Sequence, residues 1–160
     1  MTSISGMPAH VLLVHFMVVL VPLTALLEIL CGLWPAARRR LVWLVLVLAV
    51  GIMALTPVTV DAGEWLYDLR KEHSAILQTH AQRAEWMIYF SVALLVVAIA
   101  FAVLQVLEHR SDTRRAAANV LVAIVALAVG ISSIVVIYRI GDAGSQSVWG
   151  EELSRLTKSG

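Results

Sequence analysis

Charged residues are scarce in this chain. Asp, Glu, Lys and Arg make up 14% of its 160 residues, whereas a typical soluble protein has about 25%. The formal net charge is only +1, and no basic stripe is interleaved with aromatic residues, which excludes the usual footprint of a nucleic-acid-binding protein. The single cysteine, Cys31, cannot form a disulfide within the chain. No nucleophile stands beside a base in a recognisable motif, so we expect no independent catalytic activity.

Apolar residues take the place of the missing charge. They make up 60% of the chain and concentrate in stretches close to the roughly 20 residues that cross a bilayer as a helix. The first stretch contains one charged residue, Glu28, and the apolar cores of the others contain none. A backbone in lipid must satisfy its own hydrogen bonds, and strands would show a shorter, alternating pattern, so these stretches predict helices. The predicted helices span residues 11–33, 41–60, 84–107 and 116–138.

The predicted fold is all-α: an integral membrane bundle of four transmembrane helices that forms a single domain over residues 1–160. Short connections make helices one and two, and helices three and four, antiparallel neighbours. An amphipathic link at 61–82 and a glycine-punctuated tail at 140–160 lie outside the helices. We see no internal repeat in the sequence.

The basic residues predict the orientation. Arginines 38–40 fall between helices one and two, and Arg110, Arg114 and Arg115 fall between helices three and four, whereas the segment before helix one has no Lys or Arg. By the positive-inside rule both basic links face the cytoplasm and both termini lie on the outer side. The same bare N-terminus argues against a cleaved signal peptide. We therefore predict a multi-pass protein of the plasma membrane, with the lipid bilayer as its first partner.

Four of the five histidines fall on the predicted outer side: His10 and His15 open helix one, and His73 and His80 open helix three. At 1.5 Å per residue, His15 lies about 7.5 Å deeper than His10, and His80 about 10.5 Å deeper than His73. Because both helices run in the same direction, their histidines can be compared by level. This comparison predicts His15 and His80 as the inner pair.

Three readings of this histidine set stay open. Two facing imidazoles can be the axial ligands of haem b, with Arg139 and Arg83 as counter-charges for its propionates. Alternatively, the histidines with Asp61 or Asp142 can hold copper or zinc. In the third reading no cofactor is bound, and the imidazoles hydrogen-bond to carbonyls and lipid headgroups. The sequence contains neither the Cys-x-x-Cys-His motif of covalent haem attachment nor the His-Glu-x-x-His motif of a zinc site, so no motif decides between these readings.

Glu28 also stands out, because an ionisable group inside a membrane segment is costly and is by default a functional candidate. We favour a structural role, in which its carboxylate reaches the arginines at 38–40 or water at the inner face. The functional alternative makes it one station on a proton path toward the histidines.

The opening Gly6-Met-Pro-Ala-His10-Val-Leu-Leu-Val-His15-Phe resembles the start of a bacterial membrane family, domain of unknown function 2231. Further similar segments are Thr56-Pro, Asp61-Ala-Gly-Glu-Trp-Leu, the histidine at the head of helix three, and Arg139-Ile-Gly-Asp-Ala-Gly. The resemblance implies a four-helix protein of the bacterial plasma membrane. Some relatives are attached to Rieske-type iron-sulfur domains, which implies electron transfer.

The chain departs from the family pattern at three positions. Val11 and Met17 stand where prolines are usual, and Asp142 stands where we expect many relatives to carry histidine. If that position is a ligand in them, Asp142 would keep a contact to a hard metal but would be an unusual haem ligand.

Three functions follow from these observations. The first is a haem b or metal redox component of the membrane with a respiratory or Rieske-type partner. The second is a non-catalytic subunit that supports a larger membrane complex and packs through small residues, either against other proteins or as a homo-oligomer. The third is a metal-sensing, pH-sensing or transport-related protein that uses the outer histidines. The residues assigned to the redox site are His10, His15, His73, His80, Arg139 and Asp142, with Asp61 as a further metal ligand.

Overall fold

The structure, a computed structural model, describes residues 3–4, 7–69, 75–111 and 115–158. A short antiparallel hairpin, β1 (Ser3–Ile4) and β2 (Met7–Pro8), precedes the helices. The helices are α1 (Ala9–Leu33), α2 (Pro35–Asp68), α3 (Ala75–Glu85), α4 (Met87–Ser111) and α5 (Ala116–Lys158). Four helical stretches in the described ranges are long and apolar enough to cross a membrane, and α3 with α4 forms the third of them. The predicted four-helix membrane bundle is confirmed.

The spanning helices form a square. α1 packs against α2 and α5, and α4 packs against the same two helices, so α1 and α4 occupy one diagonal and run in the same direction. α3 extends α4 and packs mainly on α5. We call the end that holds His10 and His80 the histidine end, and the end that holds Arg38 and Glu108 the arginine end. The sequence predicts that the histidine end faces outward.

Local sequence explains where the helices start and stop. Trp34 is extended, with φ −129° and ψ 97°, and Pro35 then opens α2, where its missing N–H costs no hydrogen bond. α3 and α4 meet at Trp86, whose N–H donates to the carbonyl of Arg83 at 3.2 Å, while the N–H of Tyr89 donates to the carbonyl of Trp86 at 3.1 Å. These i to i+3 bonds are tighter than α-helical ones. The predicted third helix is therefore broken near its start.

Two helices are longer than predicted. α2 continues to Asp68 through the first part of the expected link, and α5 continues to Lys158 through the expected tail. The last proline of the chain is Pro57, so no later residue lacks the N–H that a helix needs. Each interior glycine costs only about 1 kcal/mol relative to alanine, which is less than the loss of the internal hydrogen bonds.

Small residues bring α1 and α5 close together. A Cβ added at Gly32 would lie 3.1 Å from Cα of Ala123, and one added at Gly130 would lie 2.9 Å from Cδ1 of Ile29. Such close approach through small residues is typical of helix packing in membranes, where dispersion and not water exclusion holds helices together. Large apolar side chains such as Leu121 are exposed on the outside of the bundle, where the bilayer covers them.

A buried ion pair ties three helices at the arginine end. Arg38 is 4% exposed. Its Nη2 donates to Oε2 of Glu108 at 2.5 Å, and its Nη1 donates to Oδ1 of Asn119. Nδ2 of Asn119 in turn donates to Oε1 of Glu108 at 2.6 Å. The arginine branch of the expectation for Glu28 is not met at Arg38, because Glu108 and Asn119 hold the guanidinium of Arg38.

We expect Glu108→Ala to lower the free energy of unfolding by about 3–5 kcal/mol, because it leaves the buried guanidinium of Arg38 without its counter-charge. Unfolding by sodium dodecyl sulfate in mixed micelles, followed by circular dichroism, measures this loss. The exposed Arg40 provides the control, since Arg40→Ala should change stability by no more than about 0.5 kcal/mol. Equal stability of the two variants would contradict a structural role for the pair.

Candidate functional site

Two imidazoles face each other at the centre of the histidine end. His10 lies in the first turn of α1 and His80 lies on α3. Their ring centroids are 6.4 Å apart, and the ring planes are inclined at 82°. Because α1 and the α3–α4 stretch lie across the diagonal of the square, the two rings meet between α2 and α5 and not at the lipid surface.

The ring of His10 is fixed by α2. Its Nδ1 lies 3.0 Å from the carbonyl oxygen of Thr59. A carbonyl can only accept, so Nδ1 carries the proton and donates, and Nε2 keeps its lone pair. One turn further along α2, a Cβ at Gly63 would lie 2.8 Å from Cε1 of His10. Only glycine at this position lets the imidazole lie flat against the helix.

The ring of His80 is fixed by α5 in the same manner. Its Nδ1 donates to the carbonyl oxygen of Ile140 at 3.0 Å. One turn further along α5, a Cβ at Gly144 would lie 3.1 Å from Cε1 of His80. His80 therefore has the same tautomer as His10, with its Nε2 lone pair free of this hydrogen bond.

The two halves of the site are built alike. In each half, a histidine from one helix donates a hydrogen bond to a carbonyl of the neighbouring helix. The same ring packs against a glycine that follows this carbonyl by four residues. Both glycines end an Asp-Ala-Gly triplet, at 61–63 and at 142–144. The sequence reading found no internal repeat and missed Thr59, Gly63, Ile140 and Gly144. The repeated triplet was the available signal.

This geometry is suited to ligation. A metal-ligating histidine almost always donates its second ring N–H to a carbonyl or carboxylate, which fixes the tautomer and increases the basicity of the ligating nitrogen. Both histidines of the pair meet this condition through main-chain carbonyls. The site therefore offers two oriented, neutral nitrogen donors.

His15 is not part of this pair. Its side chain is exposed, and its Nδ1 donates to the carbonyl of Val11 in its own helix at 2.6 Å. The comparison by level considered depth only. His15 follows His10 by five residues, which places it roughly 140° further around α1, so its side chain lies on another face of the helix and His10 is the residue that meets His80. His73 lies outside the described residues.

The predicted carboxylates lie away from the rings. Asp61 and Asp142 are both exposed, and Oδ2 of Asp142 accepts a hydrogen bond from Nε2 of Gln146 at 3.0 Å. Within the ranges that the structure describes, no group of three or more His, Cys, Asp or Glu side chains is placed to hold a metal ion. Arg83 and Arg139 also belong to this end, where Nη1 of Arg83 donates to the carbonyl of Arg139 at 3.3 Å.

Glu28 is buried in the middle of the bundle. It is 0% exposed, and neither carboxylate oxygen has a hydrogen-bond partner among the described residues. The hydroxyl of Thr24, one turn away on α1, is also buried and without a partner there. Among the described residues, the predicted contact between Glu28 and the arginines at 38–40 is not formed.

Comparison with known proteins adds the family. No curated protein and no solved structure matches the chain. One family model, described as a predicted membrane protein (DUF2231), matches residues 6–155, a range that includes the histidine pair, both Asp-Ala-Gly triplets and Glu28. Four apolar spanning helices and this match agree, and the chain is a multi-pass membrane protein that belongs to the DUF2231 family.

Proposed function

We propose that the protein is a haem-binding redox component of the membrane, with His10 and His80 as the two axial ligands. One observation carries the proposal: two imidazoles lie close together at the histidine end, and both donate through Nδ1 to a main-chain carbonyl. Each therefore keeps Nε2 for ligation.

The spacing of the rings supports this proposal. Two imidazoles on opposite sides of one metal ion have centroids about 6 Å apart, from a metal–nitrogen distance of about 2.0 Å and about 1 Å more to each ring centre. The observed centroid separation is 6.4 Å. The separation is therefore close to that of two imidazoles that bind one metal ion, and the ring planes are inclined at 82°.

The number of donors favours haem over a single metal ion. A haem iron needs only two axial ligands from the protein, because the macrocycle supplies the others. A zinc or copper site usually takes three or four protein ligands, and Asp61 and Asp142 are exposed instead of turned toward the imidazoles. We therefore place the copper or zinc alternative second.

The chain would contribute orientation and charge to such a site. The carbonyls of Thr59 and Ile140 hold the imidazoles in one tautomer, and Gly63 and Gly144 let the rings approach the helices. Arg83 and Arg139 supply positive charge at the same end. Haem, when bound, supplies one-electron redox chemistry. With the histidine end outward in a bacterial plasma membrane, an outer Rieske-type or other respiratory protein would be the exchange partner.

The first test is the dithionite-reduced minus oxidised visible spectrum of the detergent-purified protein, expressed with sufficient haem. We expect a Soret band with sharp α and β bands in the wild type. His10→Ala and His80→Ala should each abolish this spectrum, because each removes one axial ligand. His15→Ala is the matched control and should retain it, since His15 lies outside the pair.

Other outcomes of this test are equally informative. A spectrum that survives His10→Ala but is lost in His15→Ala would contradict the pairing. A colourless protein that contains copper or zinc by metal analysis would favour the ion alternative. A protein with neither would overturn the redox proposal and favour a supporting subunit.

The glycines provide a second test. We expect Gly63→Ala and Gly144→Ala to reduce haem occupancy, because the added methyl groups would lie 2.8 Å and 3.1 Å from Cε1 of His10 and His80 and would displace the rings. Gly141→Ala is the control, since a Cβ there meets nothing within 4 Å. Haem titration monitored by absorbance measures the difference. Equal occupancy in Gly144→Ala and Gly141→Ala would contradict the role of the glycine contact.

A further inference from the structure

Glu28 lies where an ionised carboxylate has no compensation. It is fully buried, and both of its oxygens lack a partner among the described residues. An isolated carboxylate in an apolar interior is so unfavourable that it takes up a proton or acquires a counter-ion. An apolar or hydroxyl side chain would serve packing alone without this cost.

A cavity lies at the arginine end, and its lining comes within one helical turn of Glu28 without including it. Its volume is about 600 Å³. Gly32, which lies on its wall, is one helical turn from Glu28 and shares its helix face. The polar residues of its lining are Arg38, Arg39, Gln105, Glu108, His109 and Asn119.

Helix register places the inner part of this cavity at the level of the carboxylate. Gly32 lies opposite Ala123, and Gly130 lies opposite Ala25 and Ile29, so α1 and α5 run antiparallel with matched rise. Counting from these contacts, Glu28 lies level with Leu127, which also lines the cavity. The cavity thus reaches the depth of Glu28 from the arginine end.

No other group at this depth is suited to exchange a proton. On α1 the nearest titratable side chain is Cys31. The facing parts of α2 (41–60) and α5 (116–137) carry no Asp, Glu, His, Lys or Arg. Nearer the arginine end, the charged and titratable groups of the cavity lining are Arg38, which is held by Glu108, and Arg39 and His109.

We propose that Glu28 is a proton-binding site that is loaded from the arginine end through this cavity. The step is a transfer of one proton from a hydronium ion in the cavity to the Glu28 carboxylate, which gives the neutral acid and water, and no electrons move. This inference does not rest on cofactor binding by His10 and His80. It assigns the middle of the bundle a role in proton uptake.

Infrared difference spectroscopy of the full-length protein in liposomes tests the proposal. The spectrum of the wild type minus that of Glu28→Gln should contain the carbonyl band of a protonated carboxyl group. This band should shift when the liposomes are transferred to deuterated water and should be replaced by carboxylate bands as the pH rises. If Glu28→Gln does not fold, Glu28→Asp keeps a carboxyl group and should displace the band instead of removing it.

A band that neither exchanges nor titrates over the pH range in which the protein stays folded would overturn the proposal, because it would describe a sealed structural acid. Loss of the band on addition of sodium chloride at fixed pH would also overturn it, in favour of a sodium site.

The route through the cavity has its own variant. Gln105→Leu keeps the volume of a lining side chain but removes its polar group, and we expect the exchange of the Glu28 band to become several-fold slower. Gly51→Ala is the control, because a Cβ at Gly51 meets nothing within 4 Å. Exchange at the wild-type rate in Gln105→Leu would overturn entry by this cavity.

Discussion

The structure depends on one constraint: within the hydrocarbon layer each backbone N–H and C=O must find its partner inside the protein. This requirement keeps the spanning segments helical through Pro22 and Pro57. It also explains why polar side chains bond to backbone carbonyls so often here. The imidazoles of His10 and His80 and the hydroxyls of Thr56 and Ser91 all lie against such carbonyls.

The two ends of the bundle satisfy the hydrogen bonds and charges of their polar side chains in different ways. At the arginine end, opposite charges and an amide satisfy one another across three helices. At the histidine end, the neutral rings each use only one nitrogen on the protein. The first arrangement joins three helices and stabilises the bundle, although Nε of Arg38 stays buried without a partner among the described residues, whereas the second leaves Nε2 of each ring available to a ligand. Glu28 lies between the two ends, and among the described residues its carboxylate has neither a counter-charge nor a hydrogen-bond partner.

The fold could be predicted from the sequence because length and hydropathy alone determine the number of spanning helices. The location of His10, His15 and His80 at one end followed from the same counting. The partner of His80 could not be predicted, because depth along α1 does not determine whether His10 or His15 points into the bundle. Thr59 and Ile140 act through carbonyls, which every residue has, so their side chains give no signal. The competition for Arg38 was also hidden, since Glu108 and Asn119 are 70 and 81 residues away from it.

The likeness of the two halves of the histidine site has a consequence for how such a chain can arise. Each half crosses the bilayer twice, so a duplicated copy joined end to end returns to the same side and keeps its orientation. Two identical helix pairs related by an axis along the membrane normal would already bring two imidazoles together at that axis. The two halves nevertheless differ, because Glu28 is a buried carboxylate in the first half, whereas the spanning core of the second half has no Asp or Glu. The histidine end is thus built from two similar halves, whereas the middle of the bundle, with its single Glu28, is not.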